Sequence, residues 1–410
     1  MSRGSRAGFI LPALISSAVI LAGLASRSPL REAVTGATPP RVELVLSPAY
    51  VLLSPLSRVL DTIGLLSTGE HTALGVTVIG LAMLVARVRG ARVERNRGRR
   101  ILASAALALV VLAVLYAGGA VLPRPTAAIG VTDPSVVRVD FHSHTNASGD
   151  ARRGFSPEAN RAWHRRGGFD VSYISDHRSF TGADAASSRN PGRAGDGVVL
   201  LSAFEGRYLG TFEIFLSFTR ADSTTLMDGH RWLREGKLLS GRVPASVVAL
   251  PSPLIDVQAV ARESAPHVAA IEISDGSPRG FAQSDRDHAA IIHRADALGI
   301  ALVSGSNSHG WGHVVPAWTL VTVPNWRALT PDSLGSAIEG ALRHTPGTAV
   351  RVVERRRPML ASPVAMSLTV PVAFAQLLTT LTPAERVVWM VWIWVVWLPR
   401  RRARRKEALP

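Results

Sequence analysis

The residues of this chain whose types and spacing suit chemistry stand at the ends of apolar runs. Residues 136–141 lead into Asp140-Phe141-His142-Ser143-His144. Two histidines at i and i+2 on extended chain project to one side, so both imidazoles can reach one ion. Asp150 follows in a polar turn. A second run, 170–175, ends in Asp176-His177, with Asp176 expected to orient an imidazole rather than to ligate. A third, 198–204, ends in Glu205-Gly206, and a fourth, 300–304, continues into Gly305-Ser306-Asn307-Ser308-His309. Imidazoles and carboxylates are the ligand types of a divalent metal centre. In parallel sheets and barrels the ends that carry them share one rim.

The elements that must position these groups alternate. Segments 136–141, 157–166, 170–175, 198–204, 214–218, 246–250, 257–262, 269–274, 287–298 and 300–304 mix short apolar strands with amphipathic helices. A last strand at 318–323 precedes a helix near 332–343. Such alternation predicts a parallel sheet, open or closed into a barrel.

Taken in order, these motifs closely resemble the polymerase and histidinol phosphatase (PHP) superfamily, whose signatures are His-x-His, Thr-Asp-His, Gly-x-Glu and Gly-Ser-Asp-x-His. Here they stand as His142-Ser143-His144, Ser175-Asp176-His177, Ala203-Phe204-Glu205 and Gly305-Ser306-Asn307-Ser308-His309, within residues 136–325. The resemblance implies an α/β fold, a distorted (β/α)7 TIM-like barrel, usually a metal-dependent phosphoesterase. It implies one ion held by His142, His144 and Glu205, with Asn307 where the family has an aspartate, and a second held by Asp150, His177 and His309. The family's remaining site adds two histidines that are absent here. Glu213 stands near one of those positions, and Leu250 occupies the other. One or two ions (Mn, Fe or Zn) are therefore expected. His142, His144, Glu205 and His309 are the expected catalytic centre, and Arg178 and Arg207 are candidates for a substrate phosphate. Asp275 is a candidate hydrogen-bonding partner for a ligand, and His313 for substrate. His164, His288 and His293 fall on helices and read as surface or packing residues.

The chain has 410 residues, 47% hydrophobic, with 46 basic against 30 acidic side chains and no cysteine. The missing cysteines exclude disulfides, thiolate zinc sites and a cysteine nucleophile. The excess charge sits in three places: Arg3 and Arg6, the stretch 87–100, and the stretch 400–406. Each flanks an apolar run, which is the charge pattern of a membrane protein. No nucleic-acid partner is expected. Spans are predicted at about 8–26, 71–87, 101–122 and 382–399, with 44–66 interfacial or re-entrant because Pro48, Pro55, Arg58 and Asp61 interrupt it. The rest divides into a linker at 123–135, the PHP-like domain at 136–345, a linker and weakly apolar surface helix at 346–381, and a basic cytoplasmic tail at 400–410. Placing 87–100 in the cytoplasm makes the chain a multi-pass protein of a bacterial inner membrane, with the PHP-like domain extracytoplasmic. Arg351 and Arg355–Arg357 would then lie outside, close to the bilayer.

The expected function is hydrolysis of a phosphate ester by metal-activated water. The alternative is a degenerate barrel that binds a metal or ligand at the membrane, motivated by Leu250, Asn307 and the absent histidines. Carbon–nitrogen bond hydrolysis is a third reading, because metal-hydroxide barrels also perform it.

Overall fold

The computed structural model describes residues 3–89, 97–177, 179–208, 211–217, 246–250 and 268–406. Its first part holds α1 (Arg3–Ala22), β1 (Leu30–Glu32), β2 (Val42–Val45), α2 (Pro48–Leu52), α3 (Ser54–Gly64), α4 (Thr68–Arg89) and α5 (Arg97–Val121). Then come β3 (Ala128–Val131), β4 (Val136–Ser143), α6 (Pro157–Gly167), β5 (Val171–Ile174), α7 (Thr181–Ser187), β6 (Val199–Tyr208) and β7 (Thr211–Leu216). They are followed by β8 (Ser246–Leu250), β9 (Val268–Asp275), α8 (Pro278–Leu298), β10 (Ala301–Gly305), β11 (Ala317–Thr322), α9 (Pro331–His344) and β12 (Val350–Arg355). Near the end lie α10 (Thr369–Thr379) and α11 (Pro383–Lys406).

Local sequence sets the helix starts. Ser156-Pro157, Ser277-Pro278 and Thr330-Pro331 open α6, α8 and α9; each hydroxyl accepts a backbone N–H of the first turn, and proline sits where no N–H is needed. Gly168 and Gly299 end α6 and α8 in left-handed conformation.

The strands form one curled, mixed sheet in the order β1-β12-β11-β4-β5-β6-β7-β8-β9-β10. Two parallel trios, β4-β5-β6 and β8-β9-β10, carry the motif ends. The expectation of a purely parallel sheet is corrected at β7, which pairs antiparallel with both neighbours because a tight β6–β7 connection can only reverse the chain. β11 and β12 are antiparallel as well. The sheet also reaches past 136–345 and draws in Leu30–Glu32 and Val350–Arg355, so the segment expected as linker at 346–381 begins with a sheet strand. Likewise β2 and β3 form a small antiparallel ladder where 44–66 and 123–135 were read as interfacial and linker. Val352, Val353, Glu354 and Arg355 of β12 are all buried, so the strand has no half-buried alternation in the sequence to mark it.

Curling returns β10 to β4. Asn307 N–H donates to His142 O (2.8 Å) and His144 N–H to Ser308 O (3.0 Å), joining the sheet's two parallel trios at the motif-bearing end. The largest core cluster packs Val137, Val139, Phe141, Val171 and Tyr173 with Leu334, Ile338 and Leu342 of α9. Segment 257–262 lies outside the described residues, as do His230 and His267.

α4, over Thr68–Val88, and α5 are long and apolar enough to cross a membrane. The apolar part of α1, Phe9–Ala22, is shorter than the expected span at 8–26, since the helix stops at Ala22. At the other end, the apolar part of α11, Pro383–Leu398, reaches span length only together with α10, from which it is bent by 116°. Of the residues that interrupt 44–66, Pro48 and Pro55 sit in the first turns of α2 and α3, and Arg58 and Asp61 serve ion pairs. Arg58 clamps Glu385 through Nε (2.7 Å) and Nη2 (2.8 Å). Asp61 meets Arg124 (2.6 Å), Arg355 (2.5 Å) and the Tyr50 hydroxyl (2.6 Å). Arg357 holds Asp285 with two bonds (2.8 and 2.6 Å). Of the four arginines expected close to the bilayer, Arg351 meets Glu32 (3.6 Å), Arg355 meets Asp61 and Arg357 meets Asp285, whereas Arg356 donates to the Ser28 and Gly36 carbonyls.

Candidate metal centre

Strand ends deliver the ligands, and local irregularities aim them. The β4–β5 register breaks between Asp140 and Ser143, which inserts an extra residue beside His142, and the β9–β10 register shifts between Val303 and Ser304, opposite Glu272. Bulges of this kind redirect side chains at sheet ends. Asn307 takes a left-handed φ of 46°, which a short polar side chain tolerates, and so turns the chain from β10 toward His309.

The expected ligands converge. Glu205 Oε2 lies 3.1 Å from His142 Nε2, 3.3 Å from His144 Nε2 and 3.4 Å from His177 Nδ1. Asp150 Oδ2 lies 3.5 Å from His177 Nε2 and 3.3 Å from His309 Nε2. The rings of His144 and His309 stack with centroids 4.1 Å apart, and those of His144 and His177 at 4.6 Å. Such contacts are those of ligands around one ion: atoms about 2.1 Å from a metal stand about 3.0 Å apart at octahedral angles and about 3.4 Å apart at tetrahedral ones. Three groups of possible ligand atoms result: His142, His144 and Glu205; His144, His177 and His309; and His142, Glu272 and Asp275.

The first group is the expected one; in the second His144 stands where Asp150 was expected, so that Asp150 enters none of the three among the described residues, and the third is new. Glu272 sits inside β9, fully buried, with Oε1 3.3 Å from His142 Nδ1. Its signal in the sequence is a lone carboxylate within the otherwise apolar run Ala269-Ala270-Ile271-Glu272-Ile273. Asp275, expected only as a hydrogen-bonding residue, accepts from Asn307 Nδ2 at 3.1 and 3.2 Å. It therefore brings a carboxylate to the place where Asn307 lacks one. Glu213 is buried on β7 in register with Gly206 and enters none of the three groups. Leu250 packs in the main core cluster.

Other contacts lock the ligands. His309 Nδ1 donates to Asn307 O (2.9 Å), which leaves Nε2 with its lone pair. Asp140 Oδ1 accepts from the backbone N–H of His142 (3.1 Å) and Ser306 (2.9 Å), tying the ends of β4 and β10. Its Oδ2 meets His164 Nε2 at 2.8 Å. His164 is fully buried and packs edge-on against Trp163 and Phe169, so of the surface and packing readings the second holds, and its ring also holds Asp140. The expectation for Asp176 is corrected. It accepts from Thr145 N–H (2.6 Å) and Oγ1 (2.7 Å) rather than from an imidazole, and a Cβ on Gly182 would collide with this pair. Arg178 lies outside the described residues, as does the side chain of Arg207 on β6.

The fit to a cation shows in what stays unpaired. His144 Nε2, His309 Nε2, Glu272 Oε2 and Asn307 Oδ1 are buried with no hydrogen-bond partner among the described residues. Buried polar atoms without partners are costly, and here most are lone-pair donors. Charges are tuned to match. Burial opposes a proton on His142, but Glu205 and Glu272 outweigh it and raise its pKa well above the ordinary value. Burial, with His142, His309 and His177 nearby, pushes His144 well below it and keeps this ring neutral. Burial raises Glu205, and His142 and its neighbours more than offset this, leaving it below the usual carboxylate range. Glu272 is pushed up to about 8 by burial, with His142 pulling against and Asp275 and Asp140 adding.

No protein-family model matches the chain, and no curated protein matches it. Among solved structures it is similar to a two-domain Bacteroides vulgatus protein containing a predicted PHP-like metal-dependent phosphoesterase (16% identity, TM-score 0.34), covering 52% of this chain and 63% of that one. The chain thus spans less than two thirds of that protein's length. It is also similar to PsfC from Pseudomonas syringae (15% identity, TM-score 0.32), with 58% of this chain and 98% of that one covered. A third likeness is to an amidohydrolase from Chromobacterium violaceum (17% identity, TM-score 0.29), covering 47% of this chain and 98% of that one.

Proposed function

We propose that the chain is a membrane-anchored, metal-dependent phosphoesterase of PHP type, its barrel-like domain on the extracytoplasmic side of a bacterial inner membrane. The observation that supports it most is the convergence of three imidazole nitrogens on one oxygen of Glu205 at 3.1–3.4 Å. His142, His144 and Glu205 would hold one ion, with Glu272 and Asp275 adding charge beside it. His177, His309 and Asp150 would hold a second. Imidazole with carboxylate suits Mn, Fe or Zn.

A bound dication lowers the pKa of water to near neutrality and polarises a phosphoryl oxygen. The protein's part is to orient the donors. The Asn307 carbonyl fixes the His309 tautomer, and Asp140 holds the ends of two strands in one register. Asp150, 58% exposed, and His177, 31% exposed, mark the side from which substrate enters. In our topology α4 and α5 cross the bilayer, and the arginine-rich residues between them face the cytoplasm.

The test is metal analysis of the full chain purified from membranes, followed by assay of phosphomonoesters and phosphodiesters with added Mn²⁺. One or two equivalents of metal and metal-dependent turnover are expected. A protein free of Mn, Fe and Zn that hydrolyses no phosphoester with Mn²⁺ overturns the reading. Bound metal without turnover would favour the binding-module alternative, for which Leu250, buried in the core instead of offering a ligand, is the specific observation.

A further inference from the structure

We propose that the phosphoester is a membrane lipid, a long-chain phosphomonoester presented from the leaflet in which α5 ends. This rests on the phosphoesterase reading above and on α5 crossing the bilayer.

The first observation is where the centre sits. The loop that follows the ligand His309 is bonded to the end of the span: Gly312 N–H donates to Ala120 O in the last turn of α5 (3.0 Å). From His309 to Gly312 the chain reaches at most about 10 Å. The headgroup layer outside the ~30 Å hydrocarbon core is about 5–8 Å deep on each side. A ligand tied this closely to the end of a span stands at about the depth of lipid phosphates.

The second is charge without full satisfaction. Burial, and then the positive charges of Arg124, Arg166 and Arg152, hold the His313 pKa below the ordinary imidazole value. The Arg124 side chain, 8% exposed, pairs with Asp61, yet its Nε and Nη2 have no hydrogen-bond partner among the described residues. His313 Nδ1 is buried and likewise without one. Arg152 N–H donates to His309 O (2.9 Å), which places this residue beside the ligand. Guanidinium groups between a metal centre and a span end suit an anionic headgroup.

The third is an apolar rim. Trp311 is 55% exposed between Gly310 and Gly312, whose φ values of 80° and 84° require glycine, and Leu122 at the span end is 62% exposed. An exposed indole at a membrane boundary is an interfacial anchor. Together the loop offers cations for a phosphate and apolar surface for the chains below it.

In the reaction, a water oxygen bonds to phosphorus and the ester P–O bond breaks. The lipid alcohol takes the proton that water gives up and stays in the bilayer, while inorganic phosphate leaves on the aqueous side.

The experiment uses the full chain in lipid nanodiscs with Mn²⁺ and compares dipalmitoyl phosphatidic acid with glycerol 3-phosphate. The lipid is expected to be turned over with kcat/KM at least about 100-fold higher, because remote binding energy is realised only with the acyl chains present. Trp311→Ser and Arg166→Gln should each lower the ratio of lipid to soluble turnover by about tenfold. That ratio is internal to each preparation and is unaffected by loss of folded protein. As a second readout, native mass spectrometry of the metal-free full chain should retain phosphatidic acid at least about tenfold better than phosphatidylcholine of the same chain length. Turnover of both compounds without lipid preference overturns this inference and leaves the phosphoesterase reading standing. Turnover of neither overturns this inference, and the phosphoesterase reading falls with it only when the metal analysis and the phosphomonoester and phosphodiester assays described above also fail.

Discussion

Two buried charged clusters lie in this molecule, and they differ in what their polar atoms do. At the junction of the helices with the sheet, Arg58 meets Glu385, Arg357 meets Asp285, and Asp61 meets Arg355 and Arg124. The Arg58–Glu385 and Arg357–Asp285 pairs are bidentate, which uses most of the capacity of both partners. At the strand ends, carboxylates face imidazoles instead: one oxygen of Glu205 lies within 3.4 Å of three rings, and His144 Nε2 and His309 Nε2 lie 3.3 Å from carboxylate oxygens without a hydrogen bond among the described residues. The two bidentate pairs use up their polar groups, although Asp61 Oδ1 and Arg124 Nε and Nη2 stay without a hydrogen bond among the described residues. What separates the clusters is ligand chemistry: guanidinium pairs carboxylate in one, whereas imidazole nitrogens that can bind a metal converge on a carboxylate oxygen in the other.

Removing one group from each cluster breaks the comparison in opposite ways. His142→Ala should abolish metal-dependent turnover by roughly 10³-fold or more and remove bound metal, because this ring lies in two of the three ligand groups. Turnover within tenfold of the unaltered protein would mean that the cluster is not a reaction centre. Asp61→Ala should act on stability, since it strands Arg124 and Arg355 in the interior. A loss of about 3–5 kcal/mol corresponds to a fall of roughly 3–6 °C in the unfolding temperature of a chain this long. Metal content per folded chain should stay the same; a Tm within 2 °C of the starting value, followed by thermal scans of the full chain in detergent, would show the pairs to be dispensable.

The smallest effect concerns Glu272. Its pKa is raised from 4.5 to about 8, so between those pH values the metal-free folded chain keeps a proton that the unfolded chain releases. The unfolded state then binds fewer protons, and stability contributed by this group falls as pH rises through that window. Glu272→Gln should flatten the slope of Tm against pH between 4.5 and 8 in metal-free protein. A slope unchanged by the substitution would assign the titration to another group.

Much of this was legible in the chain. Apolar runs ending in His142, His177, Glu205 and His309 mark strands because a run too short for a helix, bounded by glycine and polar turns, has few other options. The helix starts at Ser156 and Thr330 match expectation, since hydroxyl followed by proline satisfies the first turn locally, whereas the helix expected at 287–298 begins nine residues earlier, at Pro278 after Ser277. Glu272 and His164 escaped because each looks ordinary beside its sequence neighbours. Their partners, His142 and Asp140, lie far away in the chain. Asp61 escaped for the same reason: within 44–66 it reads as an interruption of an apolar run, and only Arg124 and Arg355 explain it.

The amino-acid sequence by itself determined the ligand types, the strands that carry them and the two apolar helices, because periodicity, capping and composition act over a few residues. Tertiary structure alone decided that β7 reverses the sheet, that Asp275 and Glu272 join His142, and that the loop after His309 rests on the end of α5. Those outcomes depend on distances between segments far apart in the chain, which are set by how the sheet curls and by which buried charges must find each other.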